Sequence, residues 1–235
     1  MTEESMNMVQ ESLPARRVVV FDLDGVLVHS EHLWEQGWEK VSSSHGYAWT
    51  GENTRACQGK SVPEWSEYLG DLCGINGEAA GAAVIALVVG AYDRGEVPLL
   101  PGALELVQAA AARVPIGLAT SAPREIIERV MRTTPLGAHF TVTVSSAEVP
   151  AGKPSPDVYL EAIRQLNADP TRSFGVEDSS NGIRAAAAAG LTVLGMEHSQ
   201  YPVAADAAAL TWRVFHSIPD VTVALVELLD GGPGA

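Results

Sequence analysis

The stretch "VVVFDLDGVLVHSE", residues 18–31, runs three valines and a phenylalanine into two aspartates, Asp22 and Asp24, with Gly25 directly behind them. A β-branched run of this kind marks a strand buried on both faces, as in a parallel sheet. Aspartates two apart in a strand would share a face and repel each other. A turn helped by Gly25 tolerates the pair. A cation to bind, or a proton to transfer, would give it a use.

Outward from this strand the chain changes character twice. Residues 31–96 are helical in pattern and hold four of the five tryptophans, Trp34, Trp38, Trp49 and Trp65. The apolar run "AAGAAVIALVVGAY" (79–92) is too short to span a bilayer and reads as a buried helix. From residue 97 strands and helices alternate. "IGLAT" (116–120), "FTVTVS" (140–145), "SFGVE" (173–177) and "LTVLGM" (191–196) read as strands, and "WRVF" (212–215) as a last short one. Between them "ALELVQAAAARV", "PREIIERVMRTT" with Pro123 in its first turn, "SPDVYLEAIRQLN" and "NGIRAAAAAG" read as helices, and 221–229 closes the chain with another. The expected class is α/β: a Rossmann-like parallel sheet core over 16–30 and 97–235, with a helical insert over 31–96 and a flexible tail over 1–15.

Composition narrows the partners. The chain has 15 basic and 29 acidic side chains, a formal net charge of −14, which repels phosphate backbones and argues against nucleic acid. A metal ion and one lysine can still invert the charge locally for a small phosphorylated metabolite. The two cysteines, Cys57 and Cys73, lack metal-ligand spacing and read as free thiols of a reducing compartment. With no signal-peptide pattern at the N-terminus, a cytoplasmic protein without a membrane anchor is expected.

In open α/β sheets the ligand lies beyond the carboxyl ends of the strands. There the sequence places Asp22 and Asp24, Thr120 and Ser121, Lys153 in "GKPSP", and Glu177 with Asp178. Carboxylates suit a hard cation such as Mg²⁺, and a hydroxyl, a lysine and backbone N–H groups suit a phosphate. Asp22, next to its strand end, could attack phosphorus, and Asp24 could protonate the leaving oxygen and then deprotonate water.

These residues carry a resemblance. "DLDGVL", "LATS", "GKPSPD" and "GVEDSSNGI" resemble, in order and spacing, the four motifs of the haloacid dehalogenase superfamily. The nearest branch has a helical cap after the first strand and includes the β-phosphoglucomutase-like phosphatases. The resemblance covers about residues 16 to 230. It implies that Asp22 forms an aspartyl-phosphate, that Asp24 is the general acid/base and lends its backbone carbonyl to Mg²⁺, and that Asp178 ligates the ion with Asp22. Glu177 would be a ligand or stand behind one. Thr120, Lys153 and backbone N–H groups near Leu23, Asp24 and Ser121 would hold the phosphoryl oxygens. The implied strand order is 5-4-1-2-3, and a cis Lys153–Pro154 bond is compatible with the family.

The resemblance also directs attention to the insert. "QGKS" (58–61) matches the cap loop facing the active site, which makes Lys60 and Ser61 candidate substrate contacts. The mutases carry an arginine and a histidine where this chain has Val62 and Trp34, so hydrolysis is favoured over mutase chemistry. His29, where many relatives have aspartate, falls at the cap hinge, and Asn181 reads as a local cap or turn residue. The expected protein is a Mg²⁺-dependent phosphatase of a small phosphate monoester, a monomer or weak homodimer. The alternatives are a sugar phosphomutase of the same fold and a non-catalytic phosphometabolite-binding protein.

Overall fold

The computed structural model describes residues 16–198 and 202–231. The tail expected over 1–15 lies outside the described residues. Six strands form one parallel sheet: β1 (Val19–Phe21), β2 (Ile116–Thr120), β3 (Val142–Ser145), β4 (Phe174–Glu177), β5 (Thr192–Met196) and β6 (Arg213–Phe215). Their order is β3-β2-β1-β4-β5-β6, the expected order with β6 added at one edge.

The period of two along β1 divides the hydrophobic core. Val19 and Phe21 face one layer, where they meet α5 (Ala103–Ala111), α6 (Arg124–Thr133) and α10 (Ile218–Leu229). Val18 and Val20 face the other, against α7 (Asp157–Leu166) and α8 (Ser180–Ala188). All four are fully buried, and each such side chain contributes roughly 1.5–3 kcal/mol. A central strand buried on both faces therefore needs the unbroken apolar run that the sequence supplies.

Between β1 and β2 the chain leaves the sheet and makes four helices, α1 (Glu31–Ser44), α2 (Gly51–Cys57), α3 (Val62–Cys73) and α4 (Gly77–Asp93). Two of the turns are fixed by capping boxes, Thr50 with Asn53 and Ser61 with Glu64. The interior of this insert is aromatic, with Trp38 centred 5.9 Å from both Trp49 and Trp65. Helix α4 departs from the expected all-round burial. Ala80, Gly81, Val84, Val88 and Ala91 form one buried stripe while Ala79, Ala82, Ala83 and Ala86 are exposed. Alanine is small enough to face water at little cost, so apolar composition alone overstated its burial. Among the described residues no single helix is long and apolar enough to cross a membrane. Pro123 precedes α6 rather than opening its first turn, in extended backbone at φ −66°, ψ 154°. The four-residue helix α9 (Ala205–Ala208) had no counterpart in the sequence pattern.

Candidate active site

Strand pairing builds the site. Phe21 lies opposite Val176 in the β1–β4 ladder, and the Asp22 N–H still donates to the Val176 carbonyl at 3.0 Å. Asp22 is thereby carried to the same level as Glu177 and Asp178. Next to β1 on its other side, β2 ends in Thr120. Asp22, Asp24, Thr120, Ser121, Lys153 and Asp178 line one cavity, closed from the insert side by Gln58, Gly59 and Lys60.

Lys153 is the hub. Its ammonium is 1 % exposed and lies 2.6 Å from Asp22 Oδ1, 2.6 Å from Glu177 Oε1 and 3.1 Å from the Ala119 carbonyl. Burial works against the charge, but Asp22 and Glu177 outweigh it and hold the lysine protonated above its ordinary range. The Lys153–Pro154 peptide is cis. Tyr159, from α7, places its ring under the ammonium and donates its hydroxyl to Glu177 Oε1 at 2.8 Å.

Glu177 is fully buried, and both of its oxygens are engaged. Oε1 takes Lys153 and Tyr159, and Oε2 takes the N–H groups of Asp178 and Ser179 with the Ser179 hydroxyl. The approach is so close that a Cβ on Gly182 would fall 1.8 Å from Oε1. Glu177 therefore holds Lys153 and the start of α8 in place.

Asp24 stands where the chain turns back, at Gly25 with φ +74°. Its Oδ1 accepts from the Ser30 hydroxyl and, at 3.0 Å, from the Trp34 indole N–H. Burial raises its pKa, and these two hydrogen bonds oppose the rise. Burial also pushes Asp22 up to about 8 against the pull of Lys153. Asp178 is raised strongly by burial and by Glu31, which itself is pushed up to about 7.

Such upward shifts mean that one lysine does not offset the carboxylates. Asp22, Glu177 and Asp178 each offer an oxygen within 4.8 Å of the others, a buried all-oxygen donor set that fits a hard divalent cation. Two further groups stand beside it that the sequence had not singled out. Glu31, in the first turn of α1, contacts Asp178 and lines the cavity. His198, after β5, has Nε2 2.6 Å from the Gly25 carbonyl and 3.8 Å from Asp178 Oδ2. An acid in a first helical turn looks like ordinary dipole compensation, so Glu31 carried no distinctive signal.

The remaining expected residues divide. Thr120 is buried in the cavity wall, and its Oγ1 accepts from the Ala122 N–H at 3.1 Å. Leu23 is fully buried. Lys60 lines the cavity with its ammonium 5.8 Å from the Tyr68 ring centre. Ser61 is not among the lining residues, because its hydroxyl donates to Glu64 in the capping box of α3. Ser121 donates to the Gly59 carbonyl at 2.9 Å, and Asn181 donates to the Gln58 carbonyl at 2.9 Å. Both are thus latches between core and insert. His29 stacks on His32, with ring centres 4.7 Å apart.

The family model for haloacid dehalogenase-like hydrolases matches residues 16–190. The chain is 31 % identical to validoxylamine A 7'-phosphate phosphatase of Streptomyces hygroscopicus subsp. limoneus, over 77 % of this chain and 85 % of that protein. It is 33 % identical to the phosphorylated carbohydrates phosphatase of Thermotoga maritima, again over 77 % and 85 %. The crystal structure of CbbY from Rhodobacter sphaeroides in complex with phosphate superimposes with a TM-score of 0.76 at 25 % identity, covering 88 % of this chain and 96 % of that one.

Proposed function

The chain belongs to the haloacid dehalogenase-like hydrolase family, and from that premise we propose that it hydrolyses a small phosphate monoester, a sugar phosphate or similar phosphorylated metabolite, through an aspartyl-phosphate on Asp22. One observation carries the reading: Asp22, Asp24, Thr120, Lys153 and Asp178, from four separate strand ends, line a single cavity. The phosphatase names of the relatives support the same class of substrate.

In this mechanism Lys153, Thr120 and the backbone N–H groups around Leu23, Asp24 and Ser121 hold the phosphoryl oxygens while the Asp22 carboxylate attacks phosphorus. Asp24 gives its proton to the leaving oxygen. As a carboxylate it then takes a proton from the water that cleaves the aspartyl-phosphate. Asp22, Asp178 and the Asp24 carbonyl would hold Mg²⁺, with Glu177 behind them. The ion, when bound, supplies charge to offset the crowded carboxylates and the phosphoryl group. Residues 31–96 act as a cap that excludes bulk water during transfer and opens for product release.

The test is phosphate release from sugar, polyol and nucleotide monophosphates, with and without Mg²⁺, beside Asp22→Asn. Metal-dependent release that vanishes in the variant is expected. Release that persists in Asp22→Asn would defeat the assignment of the nucleophile. Isomer conversion without net phosphate release, on adding a sugar bisphosphate, would replace hydrolysis by mutase chemistry.

A further inference from the structure

In the sheet β4 lies between β1 and β5, and Asp178 follows directly on the end of β4. His198 lies two residues past the end of β5. Its imidazole crosses the Asp178 end of β4 to reach the turn that follows β1, with Nε2 2.6 Å from the Gly25 carbonyl and 3.8 Å from Asp178 Oδ2. A carbonyl oxygen has no proton to give, so Nε2 carries the hydrogen of this bond.

This contact completes the hold on Gly25. The Gly25 N–H donates to the Val28 carbonyl at 3.0 Å and the Gly25 carbonyl accepts from His198, so both polar groups of the residue are engaged. The space left by its missing side chain is also taken. A Cβ on Gly25 would fall 2.0 Å from Asp178 Oδ2 and 3.1 Å from Glu31 Cδ. The Asp178 carboxylate thus packs into the turn that carries Asp24, and the imidazole stands against both. Among the described residues Lys153 pairs with Asp22 and Glu177, while His198 is the nitrogen side chain beside Asp178.

The groups assigned above to a divalent ion come in two halves, Asp22 and the Asp24 carbonyl at the end of β1, and Asp178 at the end of β4. His198 touches the first half through Gly25 and flanks the second. Glu31, Asp178 and His198 also offer ligand atoms within 4.8 Å of one another. An Nε2 that donates its hydrogen to Gly25 has no lone pair for a cation, so it serves the ligands of the ion and not the ion itself. We infer that His198 is a positioning residue for the divalent-ion site: by clamping the Gly25 carbonyl beside Asp178 it sets the spacing between the two halves of the donor set. The inference rests on the reading that these groups hold the ion, and it adds to them a residue from a fifth strand end.

The experiment titrates the full chain with Mn²⁺, a cation of the same oxygen-ligand preference, and follows the free ion by electron paramagnetic resonance. It compares wild type with His198→Leu, which removes the donor, and His198→Gln, whose amide N–H has similar reach. His198→Leu is expected to weaken Mn²⁺ binding by about tenfold, and His198→Gln to recover most of that loss. The Mg²⁺ activation constant for phosphate release should rise in parallel in His198→Leu, while kcat at saturating Mg²⁺ changes by less than about twofold. In metal-free wild type the ¹⁵N spectrum of His198, assigned by its absence from His198→Gln, should show a protonated Nε2. Wild-type Mn²⁺ affinity in His198→Leu would overturn the inference, and so would a loss in His198→Gln as deep as in His198→Leu. An imidazole nitrogen coupled to bound Mn²⁺ would make His198 a ligand and overturn it as well. A bare Nε2 in the metal-free chain overturns it even if His198→Leu does not fold. Mn²⁺ binding requires no turnover, so a failure to release phosphate would defeat the phosphatase reading without deciding these outcomes.

Discussion

The indole N–H of Trp34 donates to Oδ1 of Asp24 at 3.0 Å, so a side chain on the first helix of the insert holds a carboxylate of the sheet core. The Ser30 hydroxyl, at the N-cap of the same helix, takes the same oxygen. The proposed acid/base is therefore aimed from the insert. Trp34→Phe keeps the ring and removes the donor. A hydrogen bond to a charged group contributes about 1.5–3 kcal/mol, so kcat should fall roughly tenfold while thermal stability moves little. Trp34→His, which retains a ring N–H, should recover part of the loss. An unchanged kcat in Trp34→Phe would show that Ser30 alone positions Asp24.

Lys153 is paired with two buried carboxylates at 2.6 Å. Removing one partner of a buried ion pair typically costs about 3–5 kcal/mol, because the other charge is left unpaired. Lys153→Ala should lower the unfolding free energy by that order and abolish turnover. Mg²⁺ should restore part of the stability without restoring activity, since it offsets charge but does not replace the ammonium on the phosphoryl group. Chemical denaturation with EDTA and with Mg²⁺ checks both halves.

Gly182 is predicted to be as sensitive as a catalytic position although it has no side chain. A methyl group there would meet the Glu177 carboxylate at 1.8 to 2.2 Å. Gly182→Ala must push Glu177 away from Lys153 and Tyr159, and overpacking of this kind costs roughly 1–3 kcal/mol. Turnover should drop at least as far as it does in Tyr159→Phe, which removes a single hydrogen bond to the same oxygen. Equal activity in Gly182→Ala and wild type would contradict the role given to Glu177.

The acidic cluster also sets the response to pH. Asp22 is raised to about 8 and Glu31 to about 7 in the metal-free fold, against ordinary values near 4 in the unfolded chain. Between about pH 4 and pH 8 the folded state then binds more protons than the unfolded one, so stability falls as pH rises through that window. Below about pH 4 both states are protonated and the penalty is absent. A divalent ion favours the ionised forms, so the rise in melting temperature on adding Mg²⁺ should grow from pH 5 to pH 8. A Mg²⁺ effect of constant size across that range would sink the argument.

Much of this could be read directly from the chain, and the failures have physical reasons. The sheet was legible because β1 is buried on both faces and needs an unbroken apolar run. The gathering of Asp22, Asp24, Lys153 and Asp178 around one cavity was legible because each follows a strand or sits in a turn-rich loop at the sheet's carboxyl end. Ser61, expected at the substrate, instead caps α3 outside the cavity lining, and "SVPE" (61–64) is itself a capping-box pattern, with serine and glutamate three apart ahead of an apolar run. His198 was invisible for the opposite reason. It reaches Gly25 across a separation of 173 residues, a contact that no local pattern announces.

The two latches between core and insert, Ser121 to Gly59 and Asn181 to Gln58, both end on backbone carbonyls. The two hydrogen bonds do not read a side chain, but the contact as a whole does at one position: Gly59 has φ +70°, and a Cβ there would fall 2.7 Å from Ser179 Oγ. Positions 58 and 60, which line the cavity, can change without removing either hydrogen bond. Substitutions there would alter the cavity wall while the hydrogen bonds that join insert to core stay in place.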